Sequence, residues 1–288
     1  MDNALSSRSH ADPMTRVTEI VKRSGTSFYW AMRVLPPFKR NAMFAVYAFC
    51  REVDDIADGP DAPAAKMRAL DEWRDEIDRL YEGNPSHLIT QALAIPVATF
   101  GFARADFDAV IAGMRMDAVD KLRIADFAEL ELYCDRVACA VGRLSCAVFG
   151  VPPGLALPLA KNLGDALQLT NILRDIHEDA LRNRVYLPSD LLRRHGCDET
   201  DAPRLVDQPG LAAACREIAA IAETRFAAAD AILSHCDRRA VRPAIVMKAV
   251  YRDILDGLQQ RGWERVTTPI KRSKLHKYGL VARLLIFG

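Results

Sequence analysis

The chain has 288 residues, of which 50% are hydrophobic, so it contains enough apolar material for a sizeable core. Its 39 Lys and Arg residues balance 38 Asp and Glu residues, so overall charge gives no reason to expect a nucleic acid partner. The seven cysteines are scattered without C-x-x-C pairs, which argues against a disulfide framework or a zinc knuckle and favours a reducing cytoplasm.

The periodicity of apolar residues predicts helices along the whole chain. After an N-terminus (1–13) that we expect to be disordered, helices are predicted over about 14–23, from Pro36-Pro37 to Gly59-Pro60, and over about 67–83, 86–99, 105–118, 126–149, within 161–188, and over 189–195, 209–236 and 241–262. No convincing run alternates polar and β-branched apolar residues, and no long linker interrupts the chain. We therefore predict an all-α protein with a single domain over 14–288.

Membrane association is expected to be peripheral at most. We find neither a signal peptide nor an apolar run long enough to span a bilayer. The apolar C-terminal tail YGLVARLLIFG has two interpretations, docking on the body of the protein, which we favour, or contact with a membrane surface.

The segment 161–188 carries a polar stripe along an otherwise apolar helix. Because a helix turns by about 100° per residue, one face collects the following residues: Gly164, Gln168, Asn171, Asp175 and Asp179. Two aspartates four residues apart repel each other and weaken an isolated helix. Their pairing predicts a compensating cation, for which a hard divalent ion is the natural candidate.

A second acidic stripe lies much earlier, on the helix that follows Pro36-Pro37. Tyr47, Arg51, Asp54 and Asp58 share one of its faces, and Asp55 lies beside them. We predict that the two stripes face each other. Carboxylates with a nearby amide suit Mg²⁺, whose remaining positions are filled by water and phosphate oxygens, while Arg51 and Arg174 are placed to pair with the phosphates.

Other interpretations of these patterns carry less weight. A lone D-D-x-x-D is usually a solvated acidic patch, but a second stripe with amides on an apolar helix favours an enclosed cavity. A helical di-iron site would need Glu-x-x-His pairs, which neither stripe contains, and His177 points away from Asp175, so we expect it to be exposed. No P-loop and no G-x-G-x-x-G turn occurs.

One helix between the stripes has a face of small side chains. Ala138, Val141, Gly142 and Ser145 follow helical spacing within YCDRVACAVGRLS. Such a face either lets another helix approach closely or leaves room for a ligand, and by itself the pattern favours close packing.

Taken together, CREVDDIAD and QLTNILRDIHEDALRNRVYLP resemble the squalene and phytoene synthase family of head-to-head prenyl synthases. The resemblance runs from about Ser24 to the end of the 241–262 helix. The segments SGTSFYWAMRVLPP and ELYCDRVACAVGRLS are most similar to the bacterial presqualene diphosphate synthases of hopanoid pathways. This resemblance implies an isoprenoid synthase helical bundle with a central cavity, a prenyltransferase that condenses two farnesyl diphosphates, and Mg²⁺ as cofactor.

The resemblance also implies roles for particular residues. The metal ligands would be Asp54, Asp58, Asp175 and Asp179 with Asn171, and Gln168 would lie beside them. Contacts with diphosphate or the reacting atoms would come from Arg51, Arg174, Ser27, Tyr47 and Tyr251. The hydrocarbon channel would be lined by Phe28, Ala138, Val141, Gly142, Gly164 and Leu167, so that the small face is here interpreted as room for a chain.

Several alternatives remain open within the family. The product is predicted to be presqualene diphosphate, but phytoene synthesis from geranylgeranyl diphosphate and squalene synthesis with NADPH are related reactions, and a catalytically inactive assembly factor is the non-enzyme alternative. Many members of this family have a longer basic segment after the helix that corresponds to 241–262, and it is followed by a basic residue that contacts diphosphate. This segment is shorter here, and Lys271, Arg272 and Lys274 are the candidates for that contact. We expect a cytoplasmic protein, with contact at the inner membrane face and with downstream enzymes as hypotheses.

Overall fold

The computed structural model describes residues 12–25, 27–198, 200–270 and 279. These residues form thirteen α-helices, namely α1 (Pro13–Arg23), α2 (Ser27–Arg33), α3 (Pro37–Asp58), α4 (Pro63–Tyr81), α5 (Leu88–Phe100), α6 (Arg104–Asp117), α7 (Phe127–Cys134), α8 (Ala140–Phe149), α9 (Pro153–Leu181), α10 (Ser189–Arg194), α11 (Ala202–Leu205), α12 (Leu211–Leu233) and α13 (Arg242–Arg261). A π-helical turn (Asp135–Cys139) joins α7 to α8, and a 3₁₀ turn (Trp263–Arg265) follows α13. Two short strands, β1 (Leu122–Arg123) and β2 (Arg184–Val185), pair in parallel.

The all-α prediction is confirmed, with local differences. The helices α2 and α11 were not predicted, and the helix expected over 126–149 contains the π-helical turn. The helix with the second acidic stripe begins at Pro153 and is 29 residues long, since proline at the first helical position needs no backbone donor. The disorder predicted for 1–13 falls largely on residues 1–11, which lie outside the described residues, whereas Asp12 caps α1 by accepting a hydrogen bond from the backbone N of Thr15.

The buried apolar side chains form one continuous cluster, which is compatible with the single domain predicted for 14–288. At its centre Phe49 of α3 contacts the rings of Trp73 and Phe107, with centroids 5.6 and 5.1 Å apart. No helix of the described chain combines the length and the apolar character needed to cross a bilayer.

The helices that carry the acidic stripes lie on two sides of a cavity. The small-faced helix α8 packs against both α3 and α9, and α12 and α13 also pack on α9. Both α3 and α9 run toward the same end of the bundle, where they present their carboxylates. At that end the β1–β2 pairing, in register Leu122 with Arg184, holds the segment that follows α9 against the loop after α6.

Candidate active site

A polar cavity of about 490 Å³ opens at the carboxylate end of α3 and α9. Its walls include every carboxylate of the two predicted stripes, namely Asp54, Asp58, Asp175 and Asp179. Tyr47, Arg51, Gln168, Asn171 and Arg174 line the same cavity. The two stripes therefore face each other across one space.

Burial and mutual repulsion make two of these carboxylates hard to ionise. Burial, together with the charge of the nearby Asp58, raises the pKa of Asp54 to about 6 against the opposing effect of Arg51. Burial and the charge of Asp175 likewise raise the pKa of Asp179 to about 7. A cation in the cavity would relieve this cost, because it favours the ionised form of both groups.

Arginine side chains pair with two of the cavity carboxylates. Arg51 donates to Asp54 at 3.1 Å, and Arg174 donates to both oxygens of Asp175, at 2.7 and 2.6 Å. Since a guanidinium also binds phosphate oxygens in this forked manner, Arg51 and Arg174 can exchange a carboxylate for a diphosphate without leaving the cavity wall.

Asp58 has two arginine partners that the sequence analysis missed. Arg184 donates to one oxygen at 2.6 Å and Arg182 to the other at 2.9 Å. Burial alone would raise the pKa of Asp58, but these two hydrogen bonds outweigh it and lower the pKa below its usual range. Asp58 is therefore held as an anion, in contrast to Asp54.

Beneath Asp58 lies a buried polar network that the sequence analysis also missed. Asp117 accepts hydrogen bonds from the hydroxyls of Tyr186, at 2.6 Å, and Tyr133, at 3.1 Å. Its backbone oxygen accepts from Arg184 at 3.2 Å. Arg184 and Tyr186 follow the second stripe directly in RNRVYLP, which was a usable signal, and Tyr133 lies in the family-like segment ELYCDRVACAVGRLS without having been singled out. Nothing in the sequence around Asp117 pointed to the site.

A second cavity, of about 280 Å³, continues from the polar one into the apolar interior. The two share Tyr47, Cys50, Val137, Gln168 and Asn171 in their walls. The inner cavity contains all the residues predicted for a hydrocarbon channel, namely Phe28, Ala138, Val141, Gly142, Gly164 and Leu167, and also Tyr251. The side chain of Ser27 lies outside what the structure describes, as do Lys271, Arg272 and Lys274.

The small residues serve close packing and line the cavity at the same time. A Cβ atom on Gly164 would lie 2.9 Å from the backbone of Cys139, and one on Gly142 would lie 3.1 Å from the Cα atom of Ala160. The helix α9 can therefore approach α8 and the π-helical turn only because both positions lack side chains. Where Ala138 and Val141 face the cavity, small side chains leave space instead.

Three aromatic rings stand where the polar and apolar cavities meet. The ring centroid of Phe28 lies 6.3 Å from that of Tyr47 and 6.4 Å from that of Tyr251. Burial raises the pKa of Tyr251, although its contacts with Arg174 and Asn171 partly offset the effect. These rings present an apolar, electron-rich wall beside the carboxylates, a surface that favours positive charge.

Cys50 and His177 lie near the site without chemistry of their own. Burial raises the pKa of Cys50 to about 12, so its thiol stays protonated and serves packing. His177 is half-buried instead of exposed as predicted, since Nδ1 of its ring is enclosed, but it does not line the polar cavity.

Comparison with known proteins identifies the family. The model of the squalene/phytoene synthase family matches residues 21–278. The chain belongs to the squalene/phytoene synthase family. A presqualene diphosphate synthase from Sinorhizobium fredii is 45% identical over 263 residues, covering 89% of this chain and 94% of that protein. A phytoene synthase from Mycobacterium tuberculosis is 39% identical over 243 residues, covering 82% of this chain and 79% of that protein.

The fold of this squalene/phytoene synthase family member agrees with solved structures. A dehydrosqualene synthase crystallised with a ligand superposes with a TM-score of 0.82 at 27% identity, covering 96% of each chain. The chain therefore has the helical isoprenoid synthase fold.

Enzymes of this family generally use a divalent metal ion, and the cavity residues fit one. The side chains that face each other offer hard oxygen donors, and Oδ1 of Asn171 is buried without a hydrogen-bond partner. Among the described residues no three His, Cys, Asp or Glu side chains converge as a ready metal site. Three of the cavity carboxylates pair with arginines, namely Arg51, Arg174, Arg182 and Arg184.

Proposed function

We propose that this protein condenses two farnesyl diphosphates head to head into presqualene diphosphate and releases one diphosphate. The observation that carries the proposal is the joined cavity, in which facing carboxylates and arginines open directly into an apolar channel. The reaction needs both halves, because a diphosphate must leave while a hydrocarbon chain stays away from water. The 45% identity to a presqualene diphosphate synthase supports this choice of product.

The carboxylate residues would hold Mg²⁺ and the arginines would bind phosphate. Asp54, Asp58, Asp175, Asp179 and Asn171 are the ligands we propose, and Mg²⁺, when bound, acts as a Lewis acid that neutralises the leaving diphosphate. Arg51 and Arg174, released from Asp54 and Asp175, would bind diphosphate oxygens. Gln168 would orient the Asn171 amide, to which it is hydrogen-bonded at 3.3 Å.

The apolar cavity would position the chains and exclude water. When the C1–O bond of one substrate breaks, the allylic cation must meet the double bond of the second chain before it meets water. Phe28, Tyr47 and Tyr251 surround the junction where the cation would form, and their ring faces favour its charge. Ala138, Val141, Gly142, Gly164 and Leu167 would bound the channel, and Ser27 is proposed as a diphosphate contact from its sequence position alone.

Phytoene synthesis is the second candidate, because phytoene synthases are also related to this chain. The phytoene synthase from Mycobacterium tuberculosis is 39% identical to this chain, which is lower than the 45% identity of the presqualene diphosphate synthase from Sinorhizobium fredii. An inactive assembly factor is disfavoured by the four carboxylates that line one cavity. We keep the cytoplasm, with peripheral contact at the inner membrane face, as the predicted location.

Product analysis tests the proposal. Purified protein would be incubated with Mg²⁺ and either farnesyl or geranylgeranyl diphosphate, with and without NADPH, and the products identified by mass spectrometry. We expect presqualene diphosphate from farnesyl diphosphate, unchanged by NADPH. Squalene formed only with NADPH would reassign the protein as a squalene synthase, and turnover of the longer substrate alone would reassign it as a phytoene synthase.

A further inference from the structure

The end of the bundle opposite the carboxylates has a distinct surface. The helices α3, α9 and α13 all begin there, and α2 ends there, packed against α3 and α13. Lys39, near the start of α3, donates to the backbone oxygen of Phe149 at the end of α8, at 3.0 Å. We call this surface the distal face and define it by Trp30, Arg33, Phe38, Leu157, Arg238 and Arg239.

The distal face is basic because the segments that build it lack acidic residues. No Asp or Glu occurs in 20–51, 136–164 or 238–252. Arg238 and Arg239 are exposed in the loop between α12 and α13, and neither has a carboxylate partner among the described residues. The adjacent Asp237 accepts a hydrogen bond from the backbone N of Arg239, at 3.0 Å. Positive charge is thus concentrated at this end, while the protein as a whole is nearly neutral.

Large apolar side chains lie exposed at the same end of the bundle as these arginines. Trp30 is 44% exposed, Phe38 is 50% exposed and Leu157 is 63% exposed. Isolated exposed apolar residues need no explanation, but three of them at the same end of the bundle as these cations give a mixed apolar and basic surface, a combination that suits a lipid–water interface. Trp in particular favours the headgroup level of a bilayer.

The inner end of the apolar cavity lies directly behind this surface. Met32, Phe149, Leu159 and Pro243 line that cavity. Met32 adjoins Arg33 in α2, and Leu159 follows Leu157 by two residues in α9. The same helix ends therefore face the cavity on one side and solvent on the other.

We propose that the distal face docks the protein on a bilayer that contains anionic lipids. Charge complementarity favours an anionic bilayer as the partner of this face. The basic residues would bind the anionic headgroups, while the side chains of Trp30, Phe38 and Leu157 would enter the lipid–water interface. An acidic nucleic acid would satisfy the arginines but leave the apolar side chains in water. This docking goes beyond the proposed reaction, and it differs from the sequence-based hypothesis, which assigned membrane contact to the C-terminal tail.

Vesicle flotation of the full-length protein tests the proposal. We expect binding to vesicles of equal parts phosphatidylglycerol and phosphatidylcholine at low salt, and much weaker binding to pure phosphatidylcholine. Because each basic residue near an anionic surface contributes roughly a five-fold factor, Arg238→Glu with Arg239→Glu should weaken binding at least about 25-fold. Arg68→Glu with Arg74→Glu, the same charge change on the exposed side of α4, should weaken it far less.

A second pair of variants separates the apolar contribution. Leu157→Ser should weaken vesicle binding, whereas Leu181→Ser, an equally exposed leucine at the other end of α9, should not. Circular dichroism would verify that all variants are folded. The proposal is overturned if the wild type ignores anionic vesicles, if the α4 variant behaves like the distal-face variant, or if binding depends only on residues 281–288.

Discussion

At the scale of single residues, the site depends on how each carboxylate is partnered. Asp58 is held ionised by Arg184 and Arg182, while Asp54 and Asp179 have raised pKa values of about 6 and 7. The cavity therefore combines a fixed anion with groups whose ionisation a bound cation would favour. This combination of one ionised carboxylate and two carboxylates with raised pKa values suits a site that binds a metal ion together with a charged substrate.

Asp175→Ala should abolish turnover while leaving the fold intact. Loss of a proposed metal ligand would remove metal-based stabilisation of the leaving group, so we expect activity to fall by roughly 100-fold or more. Asp71→Ala is the matched control, because Asp71 is an exposed aspartate that pairs with Arg115 and does not line the cavity. Steady-state rates with farnesyl diphosphate would measure both, and near-normal activity of Asp175→Ala would contradict the two-stripe site.

Asp117 makes stability depend on pH. Burial raises its pKa to about 6, so between pH 4 and 6 the folded state binds a proton that the unfolded state has released. The free energy of unfolding should therefore fall as pH rises through this window, by up to about 3 kcal/mol from this group. Asp117→Asn cannot ionise, and we expect its stability relative to wild type to increase between pH 4.5 and 7.5.

Guanidinium denaturation at the two pH values would measure this difference. If the variant and the wild type differed by the same free energy at both, Asp117 would not be the source of the pH dependence.

At the scale of helices, glycine decides how closely the walls of the cavity approach. The helix α9 contains Gly164 where it meets the π-helical turn, and Gly154 in its first turn, where an added Cβ atom would meet nothing within 4 Å. The π-helical turn itself redirects Val137 and Ala138 into the cavity wall, which is a common use of such turns at functional sites.

Gly164→Ala should destabilise the protein by about 1–3 kcal/mol, because its methyl group would press on the backbone of Cys139. Gly154→Ala in the same helix should be neutral or stabilising by up to about 1 kcal/mol, since alanine favours helix and has space there. Urea denaturation of both variants checks the contrast. Equal stabilities would mean that α9 and the π-helical turn can move apart without cost.

At the scale of the whole molecule, Arg184 joins elements that are distant in sequence. From β2 it binds Asp58 and the backbone oxygen of Ala57 in α3, and also the backbone oxygen of Asp117 in α6. Its side chain is 9% exposed, whereas that of Arg182, the other partner of Asp58, is 57% exposed. The two arginines share one carboxylate and differ in burial.

Arg184→Ala should therefore cost about 1–3 kcal/mol of unfolding free energy, since it leaves backbone acceptors and Asp58 without a buried donor. Arg182→Ala should cost less than about 1 kcal/mol, as is usual for an exposed ion pair. Thermal and chemical denaturation would separate the two, and comparable losses would show that the buried contacts of Arg184 contribute little.

The sequence alone determined the helical class, the bounds of α3 and α13 to within a residue or two, and both acidic stripes, because helical periodicity and proline positions are local properties. Resemblance supplied the residues of the apolar channel, all of which line the inner cavity. Tertiary structure decided which cation meets which carboxylate, and it brought Asp117, Tyr133 and Arg184 to the site from three separate segments. Burial and partner choice depend on contacts between residues far apart in the chain, so no local pattern specifies them.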